Sequence, residues 1–171
     1  MSASRRPSNR ESLLNKLGDL HNEASLKKFV LRNPVLLRPK VVAELTERVR
    51  EQVRVDVPSA LRIANAALHI ANQIKNGGAR ARALRAKANV LYAKGEHAAA
   101  IELHEQAVAL FDVAGNANEV ARTLSGSIQP LLLLGEYNRA FAAGERDHFN
   151  VVGENRSLRR HNFQFDGIRH V

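Results

Sequence analysis

Apolar positions recur along this chain at helical spacing, and turn residues cut the pattern into segments. Leu13, Leu14 and Leu17 mark a helix over about 11–20, and Leu26, Phe29 and Val30 a second over about 22–31. Asn33-Pro34 ends the second, because a residue ahead of proline is pushed out of the helical region. Apolar Val35 to Leu37 then reads as a short turn packed under the next helix. Pro39 opens that helix as a first-turn proline, and Leu45, Val49 and Val53 form its buried stripe to about residue 55. An Ala-rich helix follows over 58–75 with a Leu61, Ala64, Leu68, Ala71 seam, ended by Gly77-Gly78. Four more helical patterns cover 80–94, 97–114, 119–134 and 136–152. Pro130 lies inside the third of these and lacks the amide that would bond to Gly126, which predicts a kink there, eased by the glycine. Every element is helical, so the fold class is all-α.

The later segments repeat. Gly95-Glu96-His97 and Gly135-Glu136-Tyr137 are two turns 40 residues apart. Five residues after each Gly stands a small residue followed by a large one, Ala100-Ile101 and Ala140-Phe141, and Ala60-Leu61 fits the same slot one period earlier. The ladder continues in Ala67/Ala107, Ile70/Leu110, Ala81/Ala121, Leu84/Leu124 and Leu91/Leu131. Two helices per period of this length predict stacked helical hairpins. Ala at the recurring small positions lets a neighbouring helix approach closely, and a turn Gly ends a helix in a left-handed conformation that a side chain resists.

These residues resemble the tetratricopeptide repeat. Leu84, Ala88, Asn89, Tyr92, Gly95, Glu96, Ala100, Ile101, Ala107 and Leu110 follow its signature, and the next copy keeps Leu124, Leu131, Gly135, Glu136, Tyr137, Ala140 and Phe141. Ile128 and Asp147 depart from it where small residues belong, and Phe149 to Gly153 repeats Phe111 to Gly115 two residues early. In the 39–55 helix, Glu44 and Arg48 stand in slots that the family fills with apolar residues, marking a degenerate unit or a cap. The resemblance covers roughly 58–153 and implies a right-handed α-solenoid of antiparallel hairpins. Its 40-residue period is similar to that of large bacterial regulatory proteins, some with a caspase-like CHAT protease domain after the repeats; nothing here matches such a domain. The organisation expected is a disordered basic N-terminus (1–10), an irregular helical segment or cap (11–57), the repeats (58–153) and a divergent or truncated tail (154–171).

Composition narrows the function classes. With 44% hydrophobic residues but eight aromatics and no Trp, the core is built from Ala and Leu. The absence of Cys excludes thiol catalysis, disulfides and thiolate metal sites. No signal-peptide pattern and no membrane-length apolar run is present, so the expected compartment is the cytoplasm. Of the formal charge of +9, the first 57 residues carry twelve Lys/Arg against seven Asp/Glu. That excess suits polyanions and raises nucleic-acid binding through Arg5, Arg6, Lys27, Lys28 and Arg32 as a rival function, without an aromatic stacking platform.

No catalytic or metal constellation emerges. His97 and His104 share a helix face at seven residues' spacing, but His104 fills the repeat's aromatic packing slot and no second His follows at i+4. Ser125-Gly126-Ser127 lies within a helix, unlike a nucleophile elbow. Gly77-Gly78 ahead of Arg80 and Arg82 reads as a linker rather than an anion loop. The resemblance implies a concave groove lined by the first helix of each hairpin, here through Arg82, Arg85, Asn89, Tyr92, Arg122, Ser125 and Gln129. The expected function is a scaffold or sensor that binds a protein or peptide, preferably acidic, without cofactor or catalysis. Self-association through the open end of the array and a regulatory role within a larger enzyme are the further alternatives.

Overall fold

The structure, a computed structural model, describes residues 9–146, and all regular elements among them are helical. In chain order these are α1 (Asn9–Gly18), α2 (Glu23–Arg32), a 3-10 turn (Pro34–Leu36), α3 (Pro39–Gln52), α4 (Val57–Gln73), α5 (Gly77–Ala93), α6 (His97–Val113) and α7 (Ala117–Leu133). An eighth helix, α8, runs from 137 to the last described residue, 146. The tail, Asp147 and the expected shortening of the last helix, at 149–153, lie outside the described residues, as do residues 1–8. Asn9 and Arg10, expected in a disordered N-terminus, already belong to α1.

A 20-residue register underlies the 40-residue period. Helices α4 to α7 are each 17 residues long, begin at 57, 77, 97 and 117, and are followed by α8 at 137. In α4, α5 and α7 the residue before the start caps the helix: the side chains of Asp56, Asn76 and Asn116 accept the amides of Ser59, Ala79 and Glu119, satisfying an orphan donor of the first turn. Glu96 makes no such cap and its carboxylate pairs with Lys94 instead. Twenty residues apart, Lys75, Gly95, Gly115 and Gly135 hold the positive-φ position that reverses the chain. This corrects the reading of Gly77-Gly78 as the end of α4. Ile74 ends that helix, Lys75 makes the turn at φ 50°, and the two glycines form the first turn of α5.

From α3 to α7 each helix packs on the next, α1 and α2 pack on α4, and α5 touches α3, α4, α6 and α7. Being surrounded explains its composition: Ala79, Ala81, Ala83, Ala86 and Ala88 are all buried. The recurring small positions Ala60, Ala100 and Ala107 are fully buried and Ala140 nearly so, while Leu61 is half-buried. Of the expected α4 seam Ala64 and Ala71 are buried, joined by Ala67 and Ile70, while Leu61 and Leu68 stand at its margin. No break interrupts α7 at buried Pro130.

The N-terminal helices complete the core through Leu14, Leu17, Leu26 and Val30. Close approach of α1 to α4 is made at Gly18, where an added Cβ would meet Ile63 at 3.4 Å and whose carbonyl accepts a 2.7 Å bond from Arg62 Nε. Glu44 and Arg48 now have a physical reason. Arg48 bonds Glu11 at 2.5 Å and Asn15 at 2.6 Å, and Glu44 pairs with Arg10 at 2.8 Å. Polar residues stand at these positions of α3 because the side chains of Arg10, Glu11 and Asn15 in α1 reach them.

Candidate interaction groove

A concavity of about 730 Å³ opens between α1, α3, α5 and α7. Local sequence sets its walls. On α5, apolar residues turn toward the neighbouring helices, which leaves Arg82, Arg85 and Asn89, spaced three and four apart, on the open side. On α7, Glu119 and Arg122 take the same side. The opposite wall is the polar face of α3, with Lys40, Glu44 and Glu47 spaced four and three apart across from buried Val42 and Leu45.

Arg82, Arg85, Asn89 and Arg122 line this concavity, while Tyr92, Ser125 and Gln129 are exposed and do not. Tyr92 instead lies against the ring of His97, centroids 5.6 Å apart. The α3 wall and Glu11 were not assigned to a groove from the sequence. The signal was present as the polar face of an amphipathic helix.

Charges in the groove fall into two groups. Arg85 is built in: it pairs with Glu119 at 2.6 Å, donates to Thr123 Oγ1 at 3.3 Å and lies 5.4 Å from the centroid of the buried Phe111 ring. Arg48 is held by Glu11 and Arg50 by Glu47, the latter at 2.6 Å. Each of the four lining carboxylates, Glu11, Glu44, Glu47 and Glu119, has an arginine partner. Lys40 and Arg82 have no carboxylate within 4.0 Å among the described residues, and exposed Arg122 reaches Glu119 only at 3.7 Å. The unneutralised charge of the groove is therefore positive.

Behind this wall His104 is buried, 1% exposed, and neither ring nitrogen has a hydrogen-bond partner. Burial, reinforced by the Arg85 charge, pushes its pKa down to about 4, so the ring is neutral. It reaches across to Gly126, where an added Cβ would lie 3.0 Å from its Cε1 and 3.6 Å from Asn89 Oδ1. Gly126 makes room for the imidazole, a role its sequence position relative to Pro130 did not suggest.

Among the described residues no group of three or more His, Cys, Asp or Glu is arranged to hold a metal ion, and no helix is long and apolar enough to cross a membrane. Comparison of the chain with protein-family models, with curated proteins and with solved structures finds no match.

Proposed function

We propose that the chain is a right-handed solenoid of tetratricopeptide-like hairpins and acts as a protein-interaction module, holding an extended acidic segment of a partner in the concavity between α3, α5 and α7. The observation that carries this reading is the pairing of the lining carboxylates with arginines while Lys40, Arg82 and Arg122 keep charge to offer. Charge-assisted hydrogen bonds from such groups to side-chain carboxylates orient a peptide, and the Asn89 amide can bond its backbone. Arg85 contributes by holding α5 against α7 rather than by contact with the ligand. The role proposed is binding, without catalysis, in the cytoplasm.

Fluorescence anisotropy with a labelled glutamate-rich peptide tests it. The wild-type chain should bind saturably, and Arg82→Glu combined with Arg122→Glu should weaken binding at least tenfold, whereas Lys27→Glu combined with Lys28→Glu, on exposed α2, should not. Equal losses in both double variants would contradict groove binding. Preference for an oligonucleotide over the peptide, lost in the α2 variant, would favour the polyanion reading instead.

A further inference from the structure

Five cationic side chains among the described residues belong to half-buried positions: Arg10, Arg48, Arg62, Arg85 and Lys87. Three are neutralised by carboxylates, Arg10 by Glu44, Arg48 by Glu11 and Arg85 by Glu119. The other two are not. Arg62 spends its Nε on the Gly18 carbonyl, and Lys87 makes no hydrogen bond or ion pair within the described chain. A partly desolvated cation without a counter-charge is costly, and proteins ordinarily pair it.

Both unpaired cations line one crevice. It lies outside the groove, between the α1–α2 turn and the outer face of α4, and holds about 430 Å³. That lies within the size range, roughly 300–1,000 Å³, of small-molecule sites. One stripe of α4 supplies Arg62, Asn65, His69 and Asn72, at spacings of three and four, and Lys87 reaches in from α5. Leu17, Leu20, Leu26 and Leu68 give it an apolar side. Glu23 also faces it, but that carboxylate is held by Lys27 at 2.6 Å.

We infer that this crevice binds a small oxyanion, a phosphate or carboxylate group on a compact molecule, with Arg62 and Lys87 as its counter-charges and Asn65, His69 and Asn72 as its hydrogen-bonding partners. The anion supplies the negative charge that the chain itself provides to the other half-buried cations. The apolar side accommodates the ligand's body, so a bare ion is the minimal case.

His69 reports occupancy. In the unliganded protein burial and the Lys27 charge hold its pKa below the usual histidine value, against the opposing pull of Glu23. The other charged or titratable groups around it in the crevice are His21, Arg62 and Lys87. A bound anion raises the His69 pKa, because it favours the imidazolium.

The test is an NMR titration of the full chain with inorganic phosphate and, separately, with glutarate, at constant ionic strength set by chloride. Saturable shifts at the amides of Arg62, His69 and Lys87, with an upward move of the His69 midpoint, are expected with at least one probe. Phosphate alone identifies a phosphate ligand, glutarate alone a carboxylate. Lys87→Gln should weaken binding about tenfold with its circular dichroism unchanged, while Lys28→Gln, an exposed cation outside the crevice, should leave it intact. Absence of saturable shifts with both probes, or equal weakening in the two variants, overturns the assignment.

Discussion

The His104 imidazole is the costliest polar group of the described core. With both nitrogens unpartnered it stays neutral in the folded chain, its pKa held at about 4 by burial and by Arg85, while the unfolded chain protonates it near 6.5. Between these values the unfolded state binds more protons, so His104 makes no pH-dependent contribution above about 6.5, and stability falls as the pH drops toward 4. The loss amounts to about 3 kcal/mol across that window. Chemical denaturation at a series of pH values should show this slope, and His104→Leu should remove it. Gly126 extends the argument. Alanine is favoured over glycine in a helix by about 1 kcal/mol, but here its Cβ would press on His104 at 3.0 Å, and the buried ring has little room to give. Gly126→Ala should therefore destabilise the native chain by about 1 kcal/mol and stabilise the His104→Ala variant, a sign reversal that a double-mutant cycle reads directly. The expectation that His104 packs inside agrees with its burial. The sequence could not reveal Gly126 as the partner, because that contact depends on how α6 lies against α7 and not on spacing within either helix.

At the scale of the element, turns and caps set the register. The period of 40 was legible because Gly-Glu turns and the Ala-large pairs recur, whereas the finer step of 20 was obscured by the turn between α4 and α5. Lys75 stands there at φ 50° where its counterparts are glycines, and the adjacent Gly77-Gly78 drew the boundary two residues too far. Lys75→Gly should relieve that left-handed strain and stabilise the chain by about 0.5 kcal/mol, while Asn76→Ala, which removes the oxygen accepting the Ala79 amide, should cost about 1 kcal/mol. Thermal unfolding of the two variants should therefore move in opposite directions. Helix α3 was legible as an amphipathic helix but not as a groove wall. Its Glu44 and Arg48 look like errors in a repeat until α1 is seen lying against them.

Over the whole molecule, small side chains let the helices sit close, and Lys40, Arg82 and Arg122 face one concavity. Ala107 is fully buried between α6 and its neighbours, so Ala107→Glu would bury a charge without a partner; loss of several kcal/mol, enough to unfold a domain of ordinary stability, is the expected result in a circular-dichroism melt. The all-α class could be read from periodicity alone. Which cations are neutralised could not, because Glu119 meets Arg85 34 positions away and Glu11 meets Arg48 37 positions away. That pairing decides the functional reading, since it removes Arg85 from the candidate ligand-binding residues and leaves Lys40, Arg82 and Arg122. The most direct test is an NMR map of amide shifts as a glutamate-rich peptide is added to the isotopically labelled chain. Shifts concentrated on the groove residues of α3, α5 and α7, with Lys40, Arg82 and Arg122 among the largest, are the predicted result. Shifts centred on Lys27, Lys28 and Arg32 of α2, with the groove unmoved, would contradict it.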